Sequence, residues 1–106
     1  MLFKLFNSSD ELENLLQNNQ PRHVVAGQRN ICVVRQGTNL IAFENECPHM
    51  GESLSGGLVN GLNEIVCPLH TYKFNLKTGE EESRRCASLK FIHVKNEGGE
   101  IYLELD

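Results

Sequence analysis

A chain of 106 residues, 40% apolar and 23% charged, has the composition of one globular domain with a real but modest core. Its formal net charge of −4, with no basic cluster beyond Arg84-Arg85, argues against nucleic acid and anionic membranes as partners. No stretch reaches the apolar length a bilayer requires, and the opening Met1-Leu2-Phe3-Lys4-Leu5-Phe6 is too short for a signal-peptide core, so the sequence predicts a soluble, cytoplasmic protein.

Residues 2–6 predict an edge strand. Ser8 followed three residues later by Glu11 has the form of a capping box, and Leu12, Leu15 and Leu16 recur at helical spacing, which predicts a short surface helix over residues 9–17 covering one end of the core. Asn18-Asn19-Gln20-Pro21 ends it with turn formers. The pattern then becomes β: His23-Val24-Val25-Ala26, Ile31-Cys32-Val33-Val34-Arg35 and Leu40-Ile41-Ala42-Phe43 are short β-branched or aromatic runs separated by turn residues, the mark of a meander. Leu58-Val59 and Glu64-Ile65-Val66 flank Asn60-Gly61, a hairpin signal. Residues 75–88 are polar and loop-like, and residues 89–95 and 100–105 predict a final hairpin around Asn96-Glu97-Gly98-Gly99. The fold class is therefore all-β with one short N-terminal helix, as a single domain over residues 1–106.

Two short segments carry the chemistry. The first is Cys47-Pro48-His49 and the second Cys67-Pro68-Leu69-His70, so the spacing is Cys-x-His, seventeen intervening residues, then Cys-x-x-His. Each arm offers one thiolate and one imidazole, a donor set suited to a transition metal or an iron–sulfur cluster. Structural zinc is the rival for any four Cys/His ligands, although zinc sites usually pair Cys with Cys and His with His. Pro48 and Pro68 each follow a cysteine and stiffen the loop, and Gly51, Gly56 and Gly57 permit unusual φ or close backbone approach.

This pattern resembles the Rieske signature, and the likeness continues through Met50-Gly51-Glu52-Ser53-Leu54-Ser55-Gly56-Gly57 and Tyr72-Lys73-Phe74-Asn75-Leu76-Lys77-Thr78-Gly79-Glu80. The resemblance implies one [2Fe–2S] cluster, with Cys47 and Cys67 on one iron and His49 and His70 on the other. It also implies a small β-sandwich or barrel built from the two ends of the chain, with a cluster-binding subdomain over about residues 45–80 inserted between them. Two ferric ions and two sulfides sum to plus two, so two thiolates and two neutral imidazoles leave the oxidised cluster near neutral. An added electron is then accepted more readily than with four thiolates, at the histidine-bound iron.

By the same resemblance the chain is a one-electron carrier, taking electrons from a flavoprotein reductase and passing them to an oxygenase, and is not itself an enzyme. The alternatives are an accessory subunit of a larger oxidoreductase, such as a nitrite reductase small subunit, and the zinc module. A Rieske oxygenase also needs a mononuclear iron domain, for which 106 residues leave no room.

High-potential family members carry an extra cysteine in each arm, joined as a disulfide, where this chain has Glu52 and Leu69. They also carry a serine and a tyrosine, two and four residues after the last histidine, that hydrogen-bond the cluster; here these are Tyr72 and Phe74. Fewer donors imply a potential toward the low end of the Rieske range, about −150 mV. The charge run Glu80-Glu81-Glu82-Ser83-Arg84-Arg85 reads as a solvated loop that lacks the proline of related cluster covers. His23 and His93 read as structural or surface residues, Cys32 as a core residue and Cys86 as a partly exposed thiol.

Overall fold

The computed structural model describes residues 1–49, 51–69 and 71–105. Among the described residues, nine strands and one α-helix follow in the order β1 (Leu2–Phe6), α1 (Ser9–Leu15), β2 (Arg22–Ala26), β3 (Arg29–Gln36), β4 (Asn39–Glu44), β5 (Leu58–Val59), β6 (Glu64–Val66), β7 (Lys73–Asn75), β8 (Phe91–Glu97) and β9 (Glu100–Glu104). Six of the strands make one antiparallel sheet in the order β1-β9-β8-β4-β3-β2, so strands from the two ends of the sequence meet at β8 and β4. The middle of the sequence folds separately into the three-stranded sheet β5-β6-β7. The large sheet curls until its far edges approach: a Cβ added to Gly27, in the β2–β3 turn, would touch Met1 and Leu105 at 3.4 Å, at the ends of the paired strands β1 and β9. It is a nearly closed barrel with an inserted subdomain, as expected.

Strand β3 shows how one sequence holds both parts together. Ile31 and Val33 point into the barrel, where they pack with Phe6, Leu12, Ala42, Ile92 and Leu103. Cys32 and Val34 point the other way and pack with Phe43, Leu54, Ile65 and Phe74 of the second core. Because successive side chains alternate across a strand, a run of four buried residues serves two cores at once. Cys32 is fully buried in the second core, and burial pushes its thiol up to about 12, as befits an inert core residue.

Helix α1 is shorter than the spacing predicts. The Ser8 hydroxyl accepts from the Glu11 amide at 3.1 Å, but the Glu11 carboxylate reaches back to Asn7 rather than to Ser8. Leu12 and Leu16 are buried while Leu15 is 60% exposed, so only part of the leucine stripe covers the barrel. The β8–β9 turn is also tighter than expected: Glu97 pairs with Glu100, leaving only Gly98 and Gly99, both at positive φ, as a two-residue hairpin turn requires. In the β5–β6 connection the left-handed residue is Asn63 rather than Gly61, and the Asn60 side chain accepts from the amides of Leu62 and Glu64.

Candidate functional site

Two loops built on one plan project from the subdomain. In the first, Glu46 bridges to Ser53, the Cys47 amide donates to the Glu52 carbonyl at 2.8 Å, and Gly51 has φ +73°. In the second, Val66 pairs with Lys73, the Cys67 amide donates to the Tyr72 carbonyl at 2.8 Å, and Thr71 has φ +52°. Every feature recurs twenty residues later, so the two cysteines occupy equivalent positions in equivalent loops. In this register His49 corresponds to Leu69 and Met50 to His70, which is why the arms read Cys-x-His and Cys-x-x-His. A β-branched threonine at positive φ is uncommon, and it stands where the first loop uses glycine.

The loops bring the two thiols together. Cys47 and Cys67 are both buried, and the two thiols are close enough for each to act on the other's ionisation. Burial is the main influence on Cys67 and pushes its thiol up to about 11, while the Leu69 amide, donating to the sulfur, opposes it. His49 lies nearer the surface and is half-buried, with its Nδ1 shielded from solvent. Its ring stacks on Tyr72, the centroids 3.7 Å apart and the planes within 10° of parallel. His70 lies outside the described residues.

The bases of the loops are pinned by residues that no motif marks. Asn45 is buried; its amide donates to Asn30 in β3, its carbonyl accepts from Leu54 and its side-chain oxygen accepts from the Ser55 amide at 2.9 Å. It thereby ties the first loop both to the barrel and to the turn Leu54–Gly56. Gly57 is required for closeness rather than for conformation: a Cβ there would lie 2.0 Å from the Val66 carbonyl oxygen.

The charge run at residues 80–85 is not a simple solvated loop. Phe74 bridges to Glu81, the Asn75 amide donates to Glu80 and the Glu82 amide to Lys73, so residues 80–82 return along β7. That register turns Glu81 inward until its side chain is fully buried. Its carboxylate accepts from the Arg85 amide and from both Nε and a terminal nitrogen of the Arg85 guanidinium, which holds the carboxyl down at about 2 against the opposing push of burial. The guanidinium in turn lies 3.8 Å over the Tyr72 ring. Composition alone gave no sign of this arrangement, because the neighbours Glu80 and Glu82 are exposed.

The remaining sequence expectations fall outside the site. His23 bonds Asn30 at the surface, His93 pairs with Glu104, and Cys86 is half-buried at the edge of the second core. No helix among the described residues is long and apolar enough to cross a membrane.

Two adjoining buried thiols, a backbone amide directed at one sulfur, two tightly closed loops and a histidine two residues after the first cysteine fit an iron–sulfur cluster on the basis of donor chemistry. The Rieske [2Fe-2S] domain family matches residues 7–93. Ferredoxin CarAc of Metapseudomonas resinovorans is 36% identical over 78 residues, 73% of this chain and 72% of that protein. A chain of the solved complex of reduced oxygenase and oxidized ferredoxin in carbazole 1,9a-dioxygenase superposes with TM-score 0.77 at 31% identity, covering 96% of this chain and all of that one. An NADH-dependent nitrite reductase small subunit from Mycobacterium tuberculosis, at TM-score 0.77 and 17% identity over 97% of this chain and 93% of its own, shares the fold alone. Among other curated relatives are proteins of which the chain spans only 14% and 28% of the length. The zinc alternative gives way to these matches: the chain belongs to the Rieske [2Fe-2S] family and carries a single [2Fe–2S] cluster.

Proposed function

We propose that this chain is a one-electron carrier whose cluster is held by Cys47 and Cys67 on one iron and by His49 and His70 on the other, within a cluster-binding subdomain of about residues 45–80 in a single domain. The observation that carries the reading is the pairing of Cys47 with Cys67 by two loops of the same plan. The bound cluster supplies a site that accepts and releases one electron near neutral overall charge. The chain's own residues supply the rest. Cys47 and Cys67 are withdrawn from solvent, the hydrogen bonds within each loop fix the backbone around its cysteine, and the Leu69 amide offsets charge on the Cys67 sulfur. His49, nearer the surface, lies on the side from which a redox partner approaches.

Similarity to a ferredoxin and to the ferredoxin–oxygenase complex supports an oxygenase as electron acceptor, with a flavoprotein reductase as donor. A reducing, cytoplasmic setting agrees with four free cysteines. The test is the EPR spectrum of dithionite-reduced protein, with iron and acid-labile sulfide measured on the same sample. A rhombic signal of low average g with two irons and two sulfides is expected, and His70→Leu should abolish it while an intact signal in that variant would refute the ligand assignment. Stopped-flow bleaching of the visible band by NADH and a flavoprotein reductase, and its recovery on adding an oxygenase, tests the carrier role. A cluster reduced by dithionite but by no such reductase would favour a subunit role.

A further inference from the structure

The side chains of Glu81, Arg85, Tyr72 and His49 form a continuous column from the buried base of the subdomain to the candidate ligand loop. Tyr72 has His49 stacked at 3.7 Å and the Arg85 guanidinium at 3.8 Å. Two planar groups this close to one ring must occupy opposite faces, so the tyrosine is sandwiched. The guanidinium is itself fixed: Glu81, fully buried, takes Nε at 3.2 Å and a terminal nitrogen at 2.8 Å. Because those bonds lie in the guanidinium plane, they leave its face available to the ring.

We propose that Tyr72 and Arg85 are positioning residues that clamp the His49 ring and set the reduction potential of the histidine-bound iron, an inference that rests on His49 being an iron ligand. A ligand imidazole is otherwise free to turn about its bond to the metal, and turning changes its overlap with the iron. The stacked tyrosine removes that freedom, and the arginine, braced by the buried carboxylate four residues before it, keeps the tyrosine in place. The Glu81–Arg85 pair is neutral overall, but its positive end is the one turned to the tyrosine, which favours the electron-loaded state.

The test is the midpoint potential and EPR g-anisotropy of Tyr72→Phe, Tyr72→Leu and Arg85→Gln holoproteins, each with its iron and sulfide content. Tyr72→Phe keeps the stack and should match the parent protein. Tyr72→Leu and Arg85→Gln should each lower the potential, so that the ratio of reduced to oxidised cluster at a fixed poise falls about threefold or more, about 28 mV for a one-electron couple. Both should broaden the g-values. Arg85→Gln leaves the Glu81 carboxylate buried and unpaired, so if it fails to load its cluster the double variant Glu81→Gln/Arg85→Gln carries the same measurement. Unchanged potential and g-values in Tyr72→Leu and in the arginine variant, at full cluster content, would overturn the clamp. Absence of a Rieske signal in the parent protein would instead overturn the ligand assignment beneath it.

Discussion

Gly57 and Val66 approach so closely that no side chain larger than hydrogen fits between them: a Cβ on Gly57 would lie 2.0 Å from the Val66 carbonyl oxygen and 3.1 Å from its carbon. Val66 immediately precedes Cys67, and the chain from Gly57 leads back through the turn Leu54–Gly56 to the first loop. This contact therefore sets the spacing between the two arms.

Gly57→Ala is expected to destabilise the protein by about 3 kcal/mol or more, because the obstacle is backbone rather than a side chain that can swing aside. Gly56→Ala is the control, since its nearest neighbour would be Pro68 at 3.8 Å, an ordinary contact. Cluster content after expression and denaturant midpoints compare the two. Equal behaviour would show that the loops tolerate separation.

The buried Glu81 makes stability depend on acid. Its carboxyl is held at about 2 when folded, by the Arg85 guanidinium, against an ordinary value of 4.5. A depressed folded value means that the stabilisation is complete above about pH 4.5 and is lost as pH falls toward 2. Glu81→Gln lacks this titration, so the stability advantage of the parent protein over the variant should shrink between pH 5 and pH 3. Urea unfolding followed by circular dichroism over that range measures it. An advantage independent of pH would place the benefit elsewhere.

Helix α1 stabilises the barrel without touching the cluster. Ser8→Ala removes the cap to the Glu11 amide and should cost about 1 kcal/mol; Leu12→Ala, at a fully buried position, should cost about 2–5 kcal/mol. Neither should move the midpoint potential. A shift in potential would mean that barrel packing reaches the ligand loops.

The potential itself should be low for the family, about −150 mV, since Phe74 is buried without a hydroxyl and Tyr72 is committed to stacking. Protein-film voltammetry gives the value directly. A result near the high end of the Rieske range would show that other groups donate hydrogen bonds to the cluster.

Much of this protein was legible in local pattern. Alternation in residues 22–43 marked a meander, Ser8 marked the start of a helix, and two Cys-Pro arms announced a metal centre, because capping, pleating and chelation each depend on residues a few positions apart. What the sequence left open were relationships between distant segments. The turns at Asn63 and Gly98-Gly99 follow from the strand registers that each connection must join. Asn45 resembles any turn asparagine until Asn30 and Ser55 arrive to bond it. Glu81 is one acid among three in a row, and only its place opposite Phe74 buries it and turns Arg85 toward Tyr72. The sequence by itself determined the chemistry of the centre, since ligand types and spacing are local. The tertiary structure alone decided its surroundings, since burial, register and ring stacking belong to no single segment.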